Sequence, residues 1–239
     1  MHRLGFNPVD IELLIKKITG HPEEIHVASI FSHLAASDDP EQDDFTREQG
    51  QRFEEMSSKI IAALAYKPLR HLCNSAGIVR HHSLQYDMVR LGLGLYGVDS
   101  SMVLQNKLKQ ISTLKTSIAQ VRDIYAGDNI GYGHHTIATH DMRIATICIG
   151  YADGYPRSMG KGTAYVLIHG KKARTTGSIC MDMCMVDITH IPEAKEGDDV
   201  IIFNKELTVT ELAIWAGTIS YEIMTNISQR VKRVYVNED

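Results

Sequence analysis

Three places in this chain bring together side chains able to do thiol, proton or anion chemistry. The first is ICMDMCMVDI, residues 179–188, with two cysteines and two acids in ten residues. Its long apolar residues alternate, at Ile179, Met181, Met183 and Met185, a period that suits a β-strand. On a strand Cys180, Asp182 and Cys184 would share one face and the methionines the other. Local sequence leaves open which face would serve chemistry. A metal site needs more than two thiols and a carboxylate on one strand, and no His or Cys elsewhere stands at the expected spacing. A disulfide between Cys180 and Cys184 is excluded on an extended strand, where they would lie roughly 13 Å apart.

The second place is a set of strand ends. His33 closes one apolar run, Asn74 and Ser75 close another, and Arg90 lies inside a third. A serine hydroxyl together with the backbone N–H groups of Gly92-Leu93-Gly94 can hold a phosphate. A guanidinium inside an apolar strand needs partners. The third place is a pair of tyrosine turns, IGYGHH with Tyr132 and IGYADGY with Tyr151 and Asp153. Taken singly, each residue has an ordinary structural reading: a core histidine, a turn serine, a loop tyrosine.

The elements that would position these groups change style near residue 105. Before it, helix and strand signals alternate. Residues 9–18 have helical spacing, and 25–34 form an apolar run that reads as a buried strand. Residues 46–65 read as a helix with Phe53, Met56, Ile60 and Leu64 on one stripe, opened by a capping box of Thr46 and Gln49. Residues 69–75 and 88–97 read as two more strands. This pattern predicts parallel βα units, whose functional groups gather at the carboxyl ends of the strands. Beyond residue 105, short runs broken by turn residues predict a mostly antiparallel, barrel-like β domain. It is followed by a helix from Thr208, where TVTE matches a capping box, a short helix from Ser220 and a closing strand, VKRVYV.

Bulk properties narrow the function classes. A net charge of −4 from 25 basic and 29 acidic residues gives no reason to expect nucleic acid or an anionic membrane as partner. No apolar run approaches the roughly 20 residues of a membrane helix, and the first residues lack a signal-peptide core. Four cysteines in 239 residues suit reduced thiols in a cytoplasmic protein better than a disulfide framework.

The segments MHRLG, SHLAASD, NSAG, MVRLGLGLYG, IGYGHH, IGYADGY, GSICMDMCMVDI and NISQRVKRVY occur in that order. Together they make the chain resemble the alanine racemase family along its whole length. The resemblance implies an N-terminal (β/α)8 barrel followed by a β domain, here residues 1–104 and 105–239. It implies a homodimer that uses pyridoxal phosphate to interconvert L- and D-alanine for peptidoglycan precursors. In the family a lysine in a Lys-Ala-x-x-Tyr-Gly type motif binds the cofactor, and no such motif occurs here. MHRLG matches a segment after the fifth barrel strand. The chain is therefore expected to correspond to the C-terminal portion of such an enzyme, with about three barrel strands, and to be inactive alone.

The same resemblance assigns roles. Tyr132 matches the tyrosine base contributed by the partner subunit, and His33 and Arg90 match residues linked to it and to the cofactor ring. With an ordinary pKa of about 10, a tyrosine base needs a positive environment. Arg90 matches the residue facing the pyridine nitrogen. Asn74, Ser75, Gly92 and Leu93 fall at cofactor-phosphate positions. Arg3 and the Met181 backbone N–H match contacts to the substrate carboxylate, Asp182 an acid in the entryway, and Tyr151 a tyrosine at the mouth. The chain departs from some relatives at Gln229, where they carry a tyrosine that reaches the phosphate, and at Lys232, where proline is common. Two other readings fit the same residues: a non-catalytic assembly or binding module whose open strand edges pair with another chain, and a racemase for serine or a basic amino acid.

Overall fold

A computed structural model describes residues 1–236; positions 237–239 of the predicted β domain lie outside the described residues. The chain divides into two compact units, the first Met1–Lys109 and the second from Gln110 onward.

In the first unit, α1 (Ile11–Gly20) precedes β1 (Ser29–Phe31), α2 (Asp43–Ala62), β2 (Leu69–His71) and α3 (Ser75–Arg80). Strands β1 and β2 are parallel, Ile30 opposite Arg70 and Phe31 opposite His71. The βα pattern is therefore present, with α2 as the crossover. The core between helix and strands is Leu34, Phe53, Leu72 and Cys73, with Ile30, Ile78, Leu84 and Tyr86 against it. Burial pushes the Cys73 thiol up to about 11, so it packs as a small apolar group.

Three expectations need correction here. The strands are three residues each, shorter than the apolar runs at 25–34 and 69–75. The third strand expected over 88–97 is a single parallel bridge from Met88 to His71. After it the chain turns into a 3-10 segment, Leu93–Tyr96. The reason is local: the Ser75 hydroxyl takes the N–H groups of Gly92 and Gly94, which a strand would have spent on a ladder. Helix α2 begins at Asp43, continuing a 3-10 turn from Pro40 whose cap is Asp39, the side chain accepting from the Glu41 N–H. Proline at the first helical position starts the helix early. Thr46 thus lies inside α2, buried, and caps nothing. The predicted stripe survives in Phe53 and Ile60, both buried.

The second unit is a closed barrel of six strands: β3 (Leu114–Ile124), β4 (Met142–Ile147), β5 (Tyr165–Ile168), β6 (Lys171–Thr176), β7 (Cys184–Asp187) and β8 (Asp199–Phe203). Their spatial order is β3-β4-β7-β6-β5-β8, and every neighbouring pair is antiparallel. Closure leaves no sheet edge. Alternate residues such as Ala145, Ile147, Val166, Ile168, Val186 and Val200 fill the interior. Helix α4 (Val209–Ala216) carries the expected capping box, Thr208 with Glu211, and α5 (Ser220–Thr225) follows.

Two further expectations fail in this unit. Residues 231–236 form no strand. Arg233 takes the carbonyls of Ile227, Ser228 and Val231 instead, which folds the segment on itself. In ICMDMCMVDI only Cys184–Asp187 is a strand. Cys180–Met183 is a tight turn, closed by the Cys180 N–H donating to the Met183 carbonyl at 2.9 Å. The shared face of Cys180, Asp182 and Cys184 therefore does not exist. Cys184 points into the barrel, while Met181, Asp182 and Met183 are exposed.

Candidate active site

The first cluster forms where β1, β2 and the Met88 bridge end. Arg90 sits two residues past the bridge, and its backbone N–H donates to the Cys73 carbonyl. Its guanidinium donates through Nη1 to His71 Nδ1 at 2.6 Å and the His71 carbonyl at 3.3 Å. Through Nη2 it reaches the carbonyls of Ser32 (2.7 Å) and Leu72 (3.1 Å) and His33 Nδ1 (3.3 Å). The guanidinium also lies 5.4 Å from the Phe31 ring centre, and that ring stacks on His71. Carbonyls at the strand ends thus converge on one permanent cation, the His71 carbonyl while also accepting the Ser32 N–H.

Because guanidinium only donates, both imidazoles must offer an unprotonated Nδ1. This fixes them as neutral tautomers. His33 is held below its usual pKa by burial and then by Arg90 and Arg3, and His71 by burial and Arg90. His81 is lowered as well, mainly by burial. In the unfolded chain these imidazoles titrate near 6.5, so on acidification the unfolded state takes up protons first. Stability is expected to be complete above that value and to fall as the pH drops below it. Urea midpoints at about pH 7.5 and about pH 5.5 check this, a flat profile being the contrary result.

Beside this cluster lies a cavity of about 570 Å³, with Arg3, Ser29, Phe31, Ser32 and His33 in its lining. The phosphate-type cradle stands at the next strand end. Asn74 is the N-cap of α3, and its Oδ1 accepts from the Gly77 N–H (2.9 Å) and the Ser37 hydroxyl (2.8 Å). It therefore shapes the cradle as a cap. Ser75, the first helical residue, accepts from the Gly92 N–H at 2.9 Å and the Gly94 N–H at 3.3 Å. Leu93 lies between them, buried. A Cβ on Gly94 would sit 2.9 Å from Leu91 Cδ1 and 3.7 Å from Ser75 Oγ, filling the cradle. A hydroxyl with backbone N–H groups gathered round it is a donor set of the phosphate-binding kind; here the Gly92 and Gly94 N–H groups are bonded to that hydroxyl, and a phosphate would take them over from it.

The second cluster belongs to the barrel unit. The loop carrying Tyr151 packs on the Cys180–Met183 turn through two backbone bonds. The Tyr151 N–H donates to the Cys180 carbonyl at 3.1 Å, and the Ala152 N–H to the Met181 carbonyl at 2.9 Å. Tyr151, Met181 and Asp182 are thereby brought together. The approach depends on Gly150, whose Cβ would come within 2.3 Å of the Met181 carbonyl oxygen and 2.4 Å of that of Cys180. Both are backbone atoms and cannot move aside. Gly150→Ala is expected to cost about 1–3 kcal/mol of stability, seen as a lower urea midpoint; an unchanged midpoint would mean the loop yields.

Tyr132 tips a separate loop of this unit, between Asn129 and Ile137, which bridge. Buried Ile130 anchors the loop, its N–H donating to the Thr136 carbonyl. Gly131, Gly133 and His134 all have positive φ, and this bend pushes Tyr132 outward, 72% exposed.

Some residues in these clusters escaped sequence reasoning. His71 follows the same strand-end logic that singled out His33. Ser37, which braces Asn74, lies in the SHLAASD segment, but nothing in its spacing marks it. Arg230 lies in the NISQRVKRVY segment with no distinguishing spacing, and it bonds both Asp153 and Asp182.

Residues 1–100 match the family described as alanine racemase, N-terminal domain, and residues 111–235 match alanine racemase, C-terminal domain. The chain is 35% identical to an alanine racemase of Halothermothrix orenii over 244 residues, covering 100% of this chain and 64% of that protein. It is 38% identical to one of Desulforamulus reducens, covering 99% and 64%. Among solved structures, alanine racemase from Streptomyces coelicolor superposes with a TM-score of 0.92 at 32% identity. The Bartonella henselae enzyme, solved with covalently bound pyridoxal phosphate, gives 0.87 at 31%. Each of these two matches covers 99% of this chain and 64% of the solved one. The chain thus spans just under two thirds of the length of these relatives, with counterparts to both of their domains. With the parallel βα unit, the closed antiparallel barrel and family matches across nearly its whole length, the chain belongs to the alanine racemase family.

Proposed function

We propose that this chain forms the larger part of a pyridoxal phosphate-dependent alanine racemase, a cytoplasmic homodimer that supplies D-alanine for peptidoglycan. The observation that carries the reading is the Arg90 cluster, a cation pinned by three carbonyls and two neutral imidazoles at the ends of parallel strands. When bound, the cofactor supplies the electron sink that makes the alanine Cα–H acidic. Ser75 and the N–H groups of Gly92 and Leu93 would hold its phosphate, with Asn74 setting the start of α3.

Arg90 would face the pyridine nitrogen. A guanidinium has no proton to give up near neutral pH, so the nitrogen remains a hydrogen-bond acceptor. That weakens the sink and disfavours side reactions such as transamination. Tyr132, carried outward on its loop, would hold or take the Cα proton on one face in the partner's site. Arg90 and His33 would provide the polar, electropositive surroundings a tyrosine base requires. In the first unit Arg3 would contact a substrate carboxylate; in the second the Met181 N–H would offer a carboxylate donor, with Asp182 and Tyr151 beside it. The base of the opposite face is a lysine in a motif that this sequence does not contain, so the 239-residue chain should not racemise alanine alone.

The test compares the purified chain with a chimera in which the preceding third of the Halothermothrix orenii relative is joined to Met1. With pyridoxal phosphate and L-alanine, only the chimera is expected to form D-alanine. A folded, cofactor-loaded chimera without racemisation would refute the assignment. Turnover by the chain alone would refute its inactivity.

A further inference from the structure

The Cys180–Met183 turn poses an electrostatic problem. The Met181 N–H is the donor proposed for a carboxylate, yet the next residue is an exposed acid. Beside a recognition N–H, an uncompensated Asp182 carboxylate would repel the very group that N–H is meant to bind. The third segment of the cluster answers this. Arg230 donates through Nη2 to Asp182 Oδ1 at 2.6 Å and through Nε to Asp153 Oδ1 at 2.7 Å.

Arg230 is itself held from both sides. Asp153 Oδ2 accepts the Gly150 N–H at 2.9 Å, and the Asp153 carbonyl accepts the Ser228 N–H at 3.0 Å. The backbone at Asn226 presses against Gly154, where a Cβ would lie 2.3 Å from the Asn226 oxygen. Arg233 ties off the carbonyls of Ile227 and Ser228. Thus the 150–154 loop, the 180–183 turn and the 226–233 segment meet on one guanidinium with two carboxylate partners. Both partners push the Arg230 pKa further up.

We propose that Arg230 is a specificity-determining positioning residue: it pairs with Asp182 and offsets that carboxylate's charge, so that the Met181 turn receives a carboxylate more readily than a cation. Asp153 keeps the guanidinium in place. The inference rests on the carboxylate role of Met181 proposed above and names the residue that makes the role electrostatically workable. It also predicts which substrates the turn disfavours. A free Asp182 would draw the ammonium group of a basic amino acid, and Arg230 weakens that attraction.

The experiment uses the ¹⁵N-labelled 239-residue chain and two small probes, propionate and propylammonium, following the Met181 amide by NMR. In the unaltered chain propionate shifts this amide and propylammonium does not. Arg230→Ala should weaken propionate roughly five-fold, the effect of one uncompensated charge a few ångströms away in a solvated setting. It should strengthen propylammonium by a similar factor. Adding Asp182→Asn to Arg230→Ala should restore propionate binding and abolish the gain for propylammonium. Thermal melts of all variants confirm that each is folded. A general loosening of the turn would weaken both probes together and would not be rescued by Asp182→Asn; that result, or no change in either probe, overturns the inference. If propionate fails to shift Met181 even in the unaltered chain, the carboxylate reading falls, and the inference falls with it.

Discussion

Replacing Tyr132 with phenylalanine is expected to reduce alanine racemisation by the completed chimera about 10²- to 10⁴-fold, the usual contribution of a positioned proton carrier. The loss should be lopsided. With one of two bases gone, solvent deuterium still enters Cα from the remaining face, but the configuration no longer inverts. Exchange with retention, measured by NMR together with chiral analysis of the alanine, separates this from general inactivation. Stability should barely change, because the ring is largely in solvent and the bend beneath it is set by Gly131 and Gly133. A phenylalanine variant that racemises normally would remove Tyr132 from the chemistry.

Arg90→Ala is expected to act on fold and site together. Its guanidinium serves the carbonyls of Ser32, His71 and Leu72 and the Nδ1 atoms of His33 and His71. Alanine leaves these acceptors without their donor at the strand ends, a cost of about 2–4 kcal/mol. Urea unfolding of the 239-residue chain measures it. A second readout is specific to the charge. Arg90 contributes to lowering the pKa values of both His33 and His71, so in the alanine variant both imidazoles should titrate closer to 6.5, by NMR of their ring protons. Arg90→Lys should keep part of that electrostatic effect but lose the fork that spans both histidines and three carbonyls. If stability and both titrations stay put, the cluster is not the keystone that its geometry indicates.

How far the sequence was legible differs between the two units. Periodicity and turn residues gave the βα style before residue 105 and the barrel after it. Capping chemistry placed α4, because Thr208 and Glu211 interact within one turn and need no distant partner. The same logic failed at Thr46. There Pro40 and Asp39 started the helix earlier, which carried Thr46 into the helix interior with its hydroxyl buried and unbonded. It failed again at 88–97, where apolar content suggested a strand. The amides of Gly92 and Gly94 had a competing acceptor in Ser75, seventeen and nineteen residues away along the chain. Alternation misled at 179–183, since a turn at Met181-Asp182 has the same apolar pattern as a strand and differs only in what the neighbouring loop requires.

By itself, then, the sequence nominated residues for the candidate site. Strand-end placement and motif order are local or one-dimensional properties, and they sufficed to single out His33, Asn74, Ser75, Arg90, Tyr132 and Tyr151. Contacts between those residues were decided only in three dimensions. That Arg90 pairs with no carboxylate among the described residues and instead gathers carbonyls and imidazoles follows from parallel strands ending at one level. That Asp182 is paired follows from Gly150 letting two backbones touch and from a segment almost fifty residues downstream bringing Arg230 to it. Long-range pairing of this kind depends on which surfaces close packing brings within hydrogen-bond reach, and no spacing along the chain encodes that directly.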